Sequence, residues 1–399
     1  MTTEVESRAG RGRGTLGSPP RLLISASGDL WAGAAVQIHQ VAKALVGRKR
    51  FLVRAALLNP GRLEDELRAL GIEVEVLDER LRSNWWMVRR LFRLISEFGP
   101  DLVHVNDYKF QVLVTAACLT LPRRPALIRT YHSRPSRWPG LAGLKVAAFQ
   151  RLDLLSLRHR TSRVITVSRD LERELASKLG SATIVTVPNG VPVDTAQPSD
   201  KGEVRERWGI PPHCVWIGTG IRLEDIKNPA LLVEAAAILA ESGARFVMSI
   251  FGEGRLEPQL RAGIAERGLD GKVVLHGHRD DLVEIMGAWD VFVLGSRHEG
   301  MPMVLLEAMS LGVPPVCTRV GGIAEIVEDG VSGALVAAND APAMASALKA
   351  LCDDREKREA TGRAAARRVR ERFSIEATVD RYCGIYGDVL AERREHASR

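Results

Sequence analysis

Val291-Phe292-Val293-Leu294-Gly295-Ser296-Arg297-His298-Glu299-Gly300-Met301-Pro302-Met303-Val304-Leu305-Leu306-Glu307-Ala308-Met309-Ser310-Leu311-Gly312 reads as a buried strand, a polar loop and a helix, in that order. The four apolar residues at its start suit a strand covered on both faces. Pro302 suits the first helical position and Gly312 the residue just past the last turn, which predicts a helix between them. Its N-terminus abuts the Glu299-Gly300 loop, and Glu307 lies little more than one turn inside. Such a strand–loop–helix unit is the repeating element of a parallel sheet covered by helices.

The same alternation extends outward in both directions. Strands are predicted at Arg21 to Ser27, Phe51 to Leu58, Ile72 to Leu77, Asp101 to Asn106, Ala126 to His132, Arg163 to Ser168 and Thr183 to Val187. The last ends in the turn Pro188-Asn189-Gly190. After a polar, proline-containing stretch the pattern restarts with Cys214 to Gly218, Arg245 to Phe251, Lys272 to His276, Val291 to Leu294, Pro314 to Thr318 and Gly333 to Val336. A chain of 399 residues exceeds what one core usually serves. The expected organisation is a disordered tail over 1–20, a first domain over 21–191, a linker over 192–202, a second domain over 203–373, and a C-terminal helix over 374–399 that packs back toward the first. The fold class is α/β, with two Rossmann-like domains facing a cleft.

Composition excludes several classes. No apolar run approaches the ~20 residues needed to span a bilayer, and the Gly-, Arg-, Ser- and Pro-rich start does not read as a signal or transit peptide. Five scattered cysteines lack metal or redox spacing, so a cytoplasmic location is expected. The net charge is +7. Residues 80–165 alone hold sixteen Lys or Arg against four Asp or Glu, which suggests an anionic partner on the first domain, either phosphate-bearing substrates or an anionic membrane surface at the inner face of the cytoplasmic membrane. Nucleic acid is not the expected partner.

Ligands of Rossmann-like halves sit at the carboxyl ends of the strands. After Val215 to Gly218 comes Thr219-Gly220-Ile221-Arg222-Leu223-Glu224-Asp225-Ile226-Lys227-Asn228-Pro229, with Asn228 a candidate N-cap. Arg222 and Lys227 thus lie just upstream of a helix N-terminus, where a diphosphate fits; solvated surface cations are the alternative. Gly252 and Gly254, after another strand, let the backbone approach a ligand closely, unless they form only a tight turn. Carboxylates at Glu299 and Glu307, beside backbone donors, suit a polyhydroxylated ligand attached to a phosphate, such as a sugar nucleotide.

These residues resemble the retaining GT-B enzymes of the group 1 (family 4) glycosyltransferases, whose Glu-x7-Glu spacing Glu299 and Glu307 match. The similarity continues through Gly252-Glu253-Gly254, Val274-Leu275-His276-Gly277, Trp289 to Ser296, Gly321 to Gly330, Pro188-Asn189-Gly190-Val191, Asp101 to His104 and Thr130-Tyr131-His132. The resemblance implies a retaining hexosyltransferase using a UDP- or GDP-sugar and a glycan or lipid-linked acceptor. It implies Arg222 and Lys227 on the donor diphosphate, Glu299 on the sugar hydroxyls and Glu307 on the ribose. Gly300, Met301 and Met303 would hold phosphates and sugar through their backbone, Arg279 would sit beside the nucleobase, His132 would face the sugar, and Gly33 would admit the diphosphate. A buried structural histidine is the alternative for His132. No Asp-x-Asp occurs, and no metal and no cofactor are expected.

The family's paired glycines appear as Ala32-Gly33, its following acid as Ala35, and a common proline as Gly295. These departures leave a catalytically silent GT-B scaffold or partner subunit as the alternative. On the helical stretch Asn84 to Phe98, phasing predicts a core stripe of Val88, Leu91, Ile95 and Phe98, with Trp85, Trp86, Phe92, Arg89 and Arg93 outside it. A second aromatic and basic mixture, Arg134 to Arg151, includes Trp138, Leu141, Leu144 and Phe149. Both suit an anionic membrane surface, or else complete an acceptor pocket or a protein interface.

Overall fold

The computed structural model describes residues 19–29, 31–134, 140–180, 184–193 and 200–397, without the side chains of 140–145 and 397. Most of the predicted tail, 194–199 of the predicted linker, Trp138, and the side chains of Leu141 and Leu144 lie outside the described residues.

Two parallel sheets organise the chain. The first contains β1 (Arg21–Ala26), β2 (Leu52–Leu57), β3 (Glu73–Val76), β4 (Leu102–Val105), β5 (Ala126–Tyr131), β6 (Arg163–Thr166) and β7 (Ile184–Thr186) in the order β3-β2-β1-β4-β5-β6-β7. The second contains β8 (Val215–Gly220), β9 (Phe246–Phe251), β10 (Val273–Gly277), β11 (Val291–Leu294), β12 (Pro315–Thr318) and β13 (Ala334–Val336) in the order β10-β9-β8-β11-β12-β13. In both, the order reverses beside the first strand, between β1 and β4 and between β8 and β11. Those reversals open the crevices where Rossmann-like sheets take ligands. The architecture is GT-B.

Helices bury both faces, which is why central strands such as β4 and β11 carry no exposed residue. In the second unit, Phe251 stacks on His276 and Trp289 with ring centroids 4.7 and 5.7 Å away. The Trp289 indole fills the space over Gly218, where any Cβ would overlap it.

The C-terminal helix Ile375–Ala397 crosses to the first sheet, inserting Val379, Tyr382, Tyr386 and Val389 into a core with Leu22, Ile24 and Ile38. His104 of β4 anchors it, with Nδ1 2.6 Å from Tyr386 Oη and Nε2 2.7 Å from Thr130 Oγ1. Burial lowers the pKa of His104 to about 3, so this buried junction is neutral.

The helix Asn84–Phe98 corrects the predicted phasing. Its core stripe is Met87, Leu91, Leu94, Ile95 and Phe98, while Val88, Trp86 and Phe92 are half-buried against the same core. Arg82 covers the Trp86 ring at 4.8 Å. Five buried positions over four turns make a stripe wide enough to draw both neighbouring aromatics inward. Trp85, 76% exposed, is the one aromatic of that arc facing solvent, beside exposed Arg89 and Arg93.

Candidate active site

The loop after β8 is held by the loop after β9. Ile221 N–H donates to the Phe251 carbonyl at 2.9 Å, and Leu223 N–H to the Glu253 carbonyl at 2.9 Å. Gly252 (φ 125°) and Gly254 (φ 159°) lie so close that a Cβ would overlap the carbonyls of Ile221 and Leu223. Their missing side chains therefore admit a neighbouring loop. What they support is Arg222, whose exposed side chain makes no hydrogen bond or ion pair among the described residues. An exposed, unpaired guanidinium can clamp an anion bidentately.

Asn228 does not cap the helix Pro229–Glu241 through its side chain. It sits in the left-handed region (φ 49°), donates through Nδ2 to Asn339 Oδ1 at 3.1 Å, and accepts from Arg297 Nη2 at 3.3 Å. Those tertiary bonds occupy the amide that a cap would have used. Pro302, likewise, is the N-cap of the helix Met303–Ser310, one residue earlier than predicted, and makes no side-chain cap bond.

Lys227 turns inward. Its Nζ donates to Glu299 Oε1 at 2.6 Å, and Ser296 Oγ donates to the same oxygen at 2.6 Å. Glu299 Oε2 has no hydrogen-bond partner among the described residues, so it can accept from a hydroxyl. Behind this loop, a Cβ on Gly321 would overlap the Glu299 carbonyl and one on Gly322 the Gly300 carbonyl, while Gly322 N–H donates to the Glu299 carbonyl at 3.2 Å.

The first domain closes over this loop. A Cβ on Gly33, at the start of the helix Gly33–Arg48, would stand 3.3 Å from Met303 Cγ, and one on Gly300 would overlap the His132 carbonyl. Ala32 offers no capping side chain, so two helix N-termini without side-chain acceptors meet across the cleft, an arrangement suited to phosphate. Asn189 Nδ2 donates to the Met301 carbonyl at 3.0 Å, fixing the predicted turn to the loop. His132 Nε2 lies 2.9 Å from Asn106 Oδ1, and burial followed by the charge of Arg129 lowers its pKa to about 3. Its ring is therefore neutral.

Glu307 lies one turn into its helix, half-buried, and its carboxyl has no hydrogen-bond partner among the described residues. Burial raises its pKa to about 7. The Arg279 guanidinium donates to Asp281 at 2.8 and 2.6 Å and lies 5.6 Å from the Trp208 ring.

Residues 200–368 match the family model for glycosyl transferases group 1, and residues 31–195 match that for glycosyltransferase family 4. A D-inositol 3-phosphate glycosyltransferase of Acidothermus cellulolyticus is 34% identical over 80% of this chain and 69% of its own length. This chain belongs to the group 1 glycosyltransferases. Another relative is the UDP-Gal:alpha-D-GlcNAc-diphosphoundecaprenol alpha-1,3-galactosyltransferase of Escherichia coli, 26% identical over 83% of this chain and 86% of its own length. In fold, the group 1 glycosyltransferase matches Anabaena Alr3699/HepE, solved in complex with UDP, with a TM-score of 0.79 at 22% identity over 92% of this chain and 100% of that one. Sequence reasoning assigned no role to Ser296, Asn106, Asn189, Gly321 or Gly322 in this glycosyltransferase. Ser296 reaches Glu299 within its own loop, whereas the other four act through contacts between separate segments; the Asn-Gly turn and the double glycine were the visible signals.

Proposed function

We propose that the enzyme transfers a hexose from a UDP- or GDP-sugar to a glycan or lipid-linked acceptor, with retention of anomeric configuration and without a metal ion. The observation that carries this is the Lys227–Glu299 pair beside an unpaired Arg222. It joins an acceptor for sugar hydroxyls to cations for a diphosphate. Residues 203–373 hold the donor and 21–191 present the acceptor, with 192–202 joining them.

Arg222 and Lys227 stabilise the diphosphate as the bond from the anomeric carbon to the phosphate oxygen breaks. The acceptor oxygen bonds to that carbon on the face the phosphate is leaving, and its proton passes to the departing phosphate oxygen. Glu299 acts by positioning the sugar, with one oxygen engaged by Lys227 and Ser296 and the other left for a sugar hydroxyl. Glu307 binds the ribose, and His132 forms the neutral wall of the sugar site. The backbone of Gly300, Met301 and Met303 and the helix start at Gly33 receive the diphosphate. Arg279 lines the edge beside the base.

A lipid-linked acceptor is favoured by the Escherichia coli relative, whose name specifies a diphosphoundecaprenol compound. Among the described residues no helix is long and apolar enough to cross a membrane. Our reading places the enzyme in the cytoplasm, meeting the membrane through the exposed Trp85, Leu81, Arg89 and Arg93.

Screening UDP- and GDP-sugars for donor-dependent thermal stabilisation, then assigning the anomeric configuration of the product by NMR, tests the proposal. Neither stabilisation nor transfer with any donor would favour a silent scaffold. An inverted product would refute retention.

A further inference from the structure

Asn106 Nδ2 donates to the Ser25 carbonyl at 3.1 Å, which orients the amide so that Oδ1 faces His132 Nε2. An amide oxygen accepts only, so His132 Nε2 carries the hydrogen. Nδ1 is then a bare acceptor. It is buried and has no partner among the described residues.

A second unmet group lines the same space. Gln37, on the helix Gly33–Arg48, is 1% exposed. Its Oε1 accepts from Gly190 N–H at 3.1 Å, which orients this amide too and leaves Nε2 as a buried donor without a partner. His132 and Gln37 both line a cavity of about 10 Å³, together with Asn106, His104 and Tyr382. Both His104 nitrogens are already engaged by Tyr386 and Thr130. The cavity thus brings together one donor and one acceptor, each costly to leave unmet, in a space at the lower limit for a single water.

We infer that Gln37 is a positioning residue for His132, holding the ring in its Nε2–H tautomer through one water that accepts from Gln37 Nε2 and donates to His132 Nδ1. Asn106 pins one end of the ring and Gln37 the other. Gln37 also grips Gly190, next to Asn189, which holds Met301 of the donor loop. The orientation of His132 is thereby tied to the turn joining the two domains. The inference rests on the proposed placement of His132 at the sugar.

The test combines ¹⁵N NMR of histidine-labelled full-length protein with kinetics. In the wild type, the His132 Nδ1 signal should lie upfield of a free imine nitrogen, as hydrogen bonding requires. Gln37→Met should move it toward the free position and lower kcat about 5-fold, the worth of one neutral hydrogen bond, with little change in donor KM. A free Nδ1 signal in the wild type, which needs no variant to fold, overturns the link, as does a signal unmoved in Gln37→Met. An unchanged kcat in that variant overturns the positioning role. His132→Ala separates the two readings: full activity there would remove His132 from the sugar site, while the NMR result would still decide whether Gln37 reaches its ring.

Discussion

Replacing Glu307 with glutamine should stabilise the enzyme at high pH while weakening donor binding. Burial moves the carboxyl from 4.5 to about 7, and no neighbouring charge contributes. At 1.36 kcal/mol per pH unit, ionising it in the folded protein costs roughly 3 kcal/mol, and partial exposure reduces this to about 1–3 kcal/mol. The sign follows from proton binding: between pH 4.5 and about 7 the folded state holds the proton more tightly than the unfolded chain. Stability therefore falls as pH rises through that window and is flat above it. Glutamine has the same shape and no proton to lose, and it breaks no hydrogen bond among the described residues. Thermal melts should coincide for wild type and Glu307→Gln near pH 4 and diverge to several degrees by pH 8, at about 2–4 °C per kcal/mol. The same variant should lose affinity for donor, because the ionised carboxylate is the better acceptor for ribose hydroxyls. Identical pH dependence of the two melting temperatures would refute the burial argument; unchanged donor affinity would remove Glu307 from the ribose.

Four further outcomes are expected. Arg222→Ala should lower kcat on the order of 10²-fold with an unchanged melting temperature, since the side chain is exposed and makes no hydrogen bond or ion pair among the described residues; near-normal turnover would discard it as a diphosphate clamp. Lys227→Ala and Glu299→Gln should each cost more than 10-fold, and the double variant much less than the product of the two, because they share one bond; additivity in a double-mutant cycle would dissolve the pair. Turnover should be the same after EDTA treatment as before, and a loss restored by Mg²⁺ or Mn²⁺ would contradict metal independence. Anionic but not neutral liposomes should pellet the wild type at low salt, less so when Trp85, Arg89 and Arg93 are replaced; equal pelleting with both would leave a soluble acceptor as the better account.

The sheets were legible because their signals are local. Runs such as Val291 to Leu294, bounded by polar turns, predict a buried strand wherever they occur, and both sheets assembled from such runs. Pro302 and Gly312 marked a helix to within a residue at its start. Local patterning failed where tertiary partners compete for the same atoms. Asn228 has the right chemistry for an N-cap, yet its amide is drawn to Arg297 and Asn339. Trp86 and Phe92 fall outside a narrow stripe on a helical wheel, but the width of the groove beneath them was not in the wheel. The basic excess over 80–165 was likewise overstated, since Arg90 pairs with Glu75 and Lys109 with Glu79, both supplied by sequence outside that window.

The glycines explain how the candidate site residues are held. Gly252 and Gly254 stand against Ile221 and Leu223, and Gly321 and Gly322 against Glu299 and Gly300. In each case two loops approach to backbone distance, and the loop that carries the proposed site residue is the one being supported. The front loop holds Arg222 or Glu299; the rear loop meets it with glycine. Such a pair preorganises a charged side chain from behind without occupying the space in front of it. A side chain in the rear loop would push the front loop into the cleft, so Gly321→Ala should damage catalysis as though Glu299 itself had moved. That predicts a loss in kcat from a residue that touches no substrate, and crystal structures of the variant should show the Glu299 loop displaced. An undisturbed loop with full activity would mean that the backbone contact has room to relax.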